Sequence, residues 1–86
     1  MDKKTLNQLR RLIEKNDKKI LSLVIYRAQL VRKVRLFKKK NKIKFKNKKQ
    51  EELLTKKLVT KSGKFKLELK KIHKFILSSS HRMSKV

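Results

Sequence analysis

The chain has 86 residues, with 29 Lys plus Arg against 6 Asp plus Glu, and a formal net charge of +23. That length fits one domain, residues 1–86, and no more. The absence of Cys excludes disulfides, thiolate nucleophiles and Cys-type zinc sites, and the absence of Pro with a lone Gly63 argues against turn-rich β folds and glycine phosphate loops. Leu, Ile, Val and Phe make up about a third of the residues, above the level at which a charged chain stays disordered. Unbroken apolar runs such as Leu23–Ile25 are only a few residues long, so no stretch of about 20 apolar residues is available for a membrane helix. Met1-Asp2-Lys3-Lys4 leads into an amphipathic pattern rather than a signal-peptide core, so a cytoplasmic, all-α chain is expected.

Nothing between Lys3 and Lys40 breaks a helix, and Asp2 stands where an N-cap would. Apolar residues recur at three-four spacing: Leu6, Leu9, Ile13, Ile20, Leu23/Val24, Val31 and Val34. Such a helix is roughly 55 Å long at 1.5 Å per residue, too long for the rest of the chain to cover, so a second chain is expected to cover it. Asn41 to Lys46 reads as a connector anchored by Ile43 and Phe45. A second helix is expected from Asn47, where Asn47-Lys48-Lys49-Gln50 has capping-box form and Glu51 and Glu52 complement the helix dipole. It carries Leu54 and Leu58 and is expected to stop near Ser62-Gly63, with Gly63 as a left-handed terminator. A third helix is predicted from about Phe65 to about Ser84 on Leu69, Ile72, Ile76 and Leu77. The predicted architecture is one very long helix, one short and one medium.

The charge has two readings. Lys-rich surfaces attract polyanions by counterion release. Yet Ala, Gly and Pro together occur only as Ala28 and Gly63, while Lys, Ile, Asn and Phe are plentiful, which points to AT-biased composition as the source of much of the charge. In that setting the six arginines, Arg10, Arg11, Arg27, Arg32, Arg35 and Arg82, mark places where a planar fork can grip a carboxylate.

Polar groups interrupt the apolar stripes. Arg27 falls between Val24 and Val31, and Lys38 follows Val34; three turns apart, they share a face. Glu51 and Asn47 lie on the backward extension of the Leu54–Leu58 stripe, and Ser80 and Ser84 on the forward extension of Ile72–Ile76. Buried cations without matching acids point to an anionic ligand. Arg10 sits near the seam too, but roughly 25 Å along the helix from Arg27, so only an antiparallel second copy would bring it to that region. Each residue has a plainer reading: Lys38 as a snorkelling side chain, Asn47 and Gln50 as caps, Ser80 as a small residue at a helix contact. His73 and His81 lack Cys or acidic neighbours at metal-ligand spacing and read as surface or packing residues, so no metal is expected. Tyr26 and Phe37 read as helix packing.

The series Leu9-Arg10, Ile13, Asp17, Ile20-Leu21, Arg27, Val31, Val34, Lys38 and Gln50-Glu51 resembles the all-helical class of chorismate mutases over nearly the whole chain. The first two helices align without gaps, while the connection to the third is a few residues shorter. The resemblance implies an intertwined homodimer whose two sites are built from both chains. It also implies the rearrangement of chorismate to prephenate toward phenylalanine and tyrosine, without cofactor or nucleophile. By that resemblance Arg10 reaches the partner's site and binds a carboxylate. Arg27 binds a carboxylate within its own chain, Lys38 contacts the ether oxygen and a carboxylate, and Glu51 accepts the ring hydroxyl. Ser80 lines the pocket. Three positions depart from the family pattern: Asn47 for an Asp, Gln50 for an Arg, and Ser84 for a Gln or Glu that donates to the ether oxygen. Losing one such donor typically costs about 10²–10³ in rate, so a slow stand-alone isomerase is expected. The rival readings are a small basic nucleic-acid-binding (ribosome-associated) helical protein and a non-catalytic relic of the same fold.

Overall fold

The computed structural model describes residues 3–44 and 48–85. Helix α1 spans Lys3–Lys40, α2 Lys48–Val59, and α3 Lys66–Met83, with a 3₁₀ turn at Gly63–Phe65 leading into α3. Among the described residues there is no strand, and no helix is long and apolar enough to cross a membrane. The expected caps Asp2 and Asn47 and the anchor Phe45 lie outside the described residues.

The end of α1 is set by backbone geometry that composition did not announce. Lys42 adopts φ +55°, in the left-handed region. Around it Ile43 N donates to Lys38 O at 2.7 Å and Lys42 N to Lys39 O at 3.3 Å, the paired bonds of a Schellman terminator. A lysine here accepts a Cβ clash that glycine would avoid. The result is a firm last turn that holds Lys38, with Lys38, Lys39 and Lys40 at the negative end of the dipole.

Helix α2 stops at Val59, three residues before the expected Ser62. Hydroxyls explain the early stop: Thr60 Oγ1 donates back to the Lys56 carbonyl, and Ser62 Oγ donates to Val59 O at 2.5 Å. Such side-chain bonds compete with continuation of the helix. Gly63 then supplies the reversal at φ +59°, the left-handed position expected of it, though beyond the helix rather than at its end.

Helix α3 packs against α1 on one side and α2 on the other. Among the described residues the buried ones are few and small: Ala28 of α1, Thr55 and Val59 of α2, and Ser80 with Ser84 toward the end of α3. The molecule measures 60 × 29 × 15 Å, with a radius of gyration of 17.0 Å. A compact chain of this length would have a radius of roughly 12 Å. Long apolar side chains on α1 remain open, including Leu12 at 63 % and Ile13 at 60 % exposure. Among the described residues two buried apolar side chains cannot offset the chain entropy of folding, so the helices leave most of their apolar stripe for something else to cover.

Candidate functional site

A cavity of about 290 Å³ opens where α1, α2 and α3 meet. The α1 wall presents Arg27 and Lys38, with Val31 and Val34 between them. Steps of four, three and four residues put all four side chains on one face, as the sequence spacing requires. Gln50, Glu51 and Leu54 line it from α2, and Leu77 with His81 from α3. Arg27, Lys38, Glu51 and His81 are half-buried, while Gln50 is exposed. Four of the residues singled out from the sequence therefore meet in one place: Arg27, Lys38, Gln50 and Glu51. Two cations face one carboxylate across apolar walls, an arrangement suited to a small anion carrying a hydroxyl or another donor.

The other expected residues stand elsewhere. Arg10 is exposed on the amino-terminal half of α1, far from the cavity within one chain, and Asn47 lies outside the described residues. Ser80 and Ser84 are 0 % and 2 % exposed and line neither this cavity nor the larger groove beside it. Ser84 Oγ accepts from Arg35 Nε at 3.2 Å and donates to His81 O at 2.8 Å, which fixes that face of α3 against α1. Ser80 lies one turn earlier on the same face, and its Oγ has no hydrogen-bond partner among the described residues. The stripe extended through these serines is the packing face of α3, so Ser80 is the small residue at a helix contact. The cavity is met by the row three residues back, Leu77 and His81, rotated by about 60° around the helix.

His81 was read from the sequence as surface or packing, and the structure corrects this by placing it in the cavity wall. Its Nδ1 lies 3.5 Å from Arg35 Nη2, which also donates to His81 O at 3.3 Å. The signal that would have found it is the i,i+4 pair Leu77–His81. Nothing in the sequence alone distinguishes that row from the serine row.

His73, on the same helix, is half-buried, and its Nδ1 lies 2.7 Å from Thr55 Oγ1 of α2, which donates to Glu51 O at 3.0 Å. Burial first, and the Arg27 charge second, lower the ring pKa below its ordinary 6.5. A lowered folded-state pKa means that the unfolded chain takes up the proton first as pH falls. Stability should therefore be unaffected by this group well above pH 6.5 and decline as pH drops through and below that value. Urea unfolding between pH 7.5 and 5 checks this, and His73→Asn should flatten the decline relative to the wild type. An unchanged slope would show that another group carries it.

Beside the cavity, and sharing Glu51, Leu77 and His81 with it, a groove of about 830 Å³ runs between α2 and α3. Lys66, Lys70, Lys74 and Arg82, spaced by multiples of four on α3, face Lys48 and Lys56 of α2 across it. The approach to the cavity is thus strongly cationic.

The family model for chorismate mutase type II matches residues 9–85, nearly the full chain. No curated protein and no solved structure matches it significantly.

Proposed function

Because the chain belongs to the chorismate mutase type II family, we propose that it is an active, cytoplasmic, homodimeric chorismate mutase that rearranges chorismate to prephenate for phenylalanine and tyrosine synthesis. The observation that carries the proposal is the convergence of Arg27, Lys38, Gln50 and Glu51 on one half-enclosed cavity. In this unimolecular Claisen rearrangement the ether C–O bond breaks as a C–C bond forms within the same molecule. No nucleophile and no proton transfer are required, so catalysis consists of holding the reactive conformer and stabilising the charge that grows on the ether oxygen.

The roles follow from chemistry and position. The Arg27 guanidinium binds a substrate carboxylate as a two-pronged donor. Lys38, fixed in the last turn of α1, donates to the ether oxygen and to a carboxylate. Glu51, the cavity's carboxylate, accepts the ring hydroxyl. Gln50 contributes a neutral donor where the family more often has a cation, which leaves less positive charge for the dianion. Arg10 of a second copy reaches into the site and binds a substrate carboxylate; the open apolar stripe of α1 and the elongated shape support such a copy. The cationic groove raises the local concentration of a dianionic substrate.

Incubating purified protein with chorismate and following its absorbance tests the proposal. Loss of chorismate well above the buffer rate is expected, and a rate equal to that of buffer overturns it. The groove is also what favours the runner-up, polyanion binding. Added salt separates the two, because nucleic-acid affinity falls steeply with salt while turnover in an enclosed site responds weakly.

A further inference from the structure

We propose that His81 is a catalytic residue of this site, donating an Nε2–H hydrogen bond, without transfer of the proton, to the breaking ether oxygen beside Lys38, and that Arg35 is the positioning residue that holds the ring in the tautomer this requires. The inference rests on the mutase reading above. Ser84, which by the resemblance stands where the family has a second donor, is turned to α1 and engaged with Arg35 and with the His81 carbonyl. Leu77 and His81 form the α3 wall of the cavity, so His81 is the side chain there able to donate.

The tautomer follows from the neighbour. A guanidinium carries only donors, so it favours the ring form in which the Nδ1 facing Arg35 Nη2 at 3.5 Å is the accepting nitrogen. In that form of the neutral ring the proton resides on Nε2. The same guanidinium grips the backbone carbonyl of His81 at 3.3 Å, and its Nε reaches Ser84 at 3.2 Å, so Arg35 holds the last turn of α3 as well as the ring. A neutral imidazole also suits a wall shared with Arg27 and Lys38. It adds a hydrogen bond to the ether oxygen without adding a third mutually repelling cation. Arg35 is thereby one of the arginines whose fork geometry matters, although it holds the protein's own groups rather than the substrate.

The full-length chain is assayed for chorismate loss as wild type, His81→Leu, His81→Gln, Arg35→Met and Lys38→Ala, with circular dichroism to verify helicity. His81→Leu should lower kcat by about 10²–10³-fold with KM changed far less, the usual cost of one donor to developing oxygen charge. His81→Gln, whose carboxamide can still donate, should recover most of that loss. If His81→Leu loses helicity, His81→Asn, polar but too short to reach, replaces it and should show the same fall. Nitrogen-15 spectra of the ring should show the proton on Nε2 in the wild type and a mixed population in Arg35→Met, with kcat falling alongside. Wild-type kcat in a folded His81→Leu or His81→Asn, with activity lost in Lys38→Ala, would overturn the role of His81 while leaving the mutase reading in place. A neutral wild-type ring protonated at Nδ1 would overturn the roles of both Arg35 and His81, because Nε2 would then have no proton to donate. Absence of turnover in the wild type removes the mutase reading and this inference together.

Discussion

Lys38→Ala is expected to lower kcat/KM for chorismate by about 10²–10³-fold or more, the loss that follows removal of one preorganised donor to developing oxygen charge. Three features of the site make the effect large. Lys38 shares the cavity with Arg27, so its ammonium faces a ligand space rather than bulk water alone. Its backbone is pinned by the Schellman bond from Ile43 N at 2.7 Å, so the donor does not have to be ordered at the moment of reaction. Lys38 and Arg27 are the two cations that one chain brings to the cavity wall, so deletion halves the positive charge a single subunit offers a dianion. Lys39→Ala is the matched control: one residue along the same turn, exposed and absent from the cavity, it should stay within about twofold of wild type, as surface substitutions usually do. Equal losses in the two variants would mean that overall charge, not the cavity, drives turnover.

Mixing an Arg10→Ala chain with a Lys38→Ala chain should restore activity that neither possesses alone. Arg10 is exposed and roughly 25 Å along α1 from Arg27, beyond the reach of any side chain within its own subunit. In a two-fold dimer each mixed pair has one site with Lys38 from one chain and Arg10 from the other, and a second site lacking both. Random exchange of equal amounts makes half the dimers mixed, so recovery should approach about a quarter of the wild-type rate. Each single variant assayed separately should remain nearly inactive. A mixture as inactive as its components, with subunit exchange verified by native mass spectrometry, would show that the sites are not shared.

Helix α1 illustrates how much was legible in the sequence. An unbroken run without Gly or Pro, patterned at three-four spacing, forms the Lys3–Lys40 helix as expected, because periodicity is a property of the chain itself. The same periodicity puts Arg27 and Lys38 on one face, and both line the cavity. Helix ends were less legible. Lys42 closes α1 in the left-handed region with no glycine to announce it, and the Thr60 and Ser62 hydroxyls end α2 before the expected Ser62-Gly63. These ends depend on local hydrogen bonds that compete closely with one more helical turn.

What the sequence by itself determined was the number of helices, the face on which each carries its apolar residues, and the cationic pair on α1. Those follow from a repeat of 3.6 residues per turn, which is blind to neighbours. What only the tertiary structure decided was the rotation of α3 between α1 and α2. Rows such as Ser80–Ser84 and Leu77–His81 differ by about 60° around one helix, and both are compatible with the same stripe. Docking against α1, with Arg35 bonded to Ser84 and His81, selects the serine row for packing and turns the imidazole row to the cavity. That choice is made by side chains 46 and 49 positions apart in the chain, a long-range pairing that no local pattern encodes.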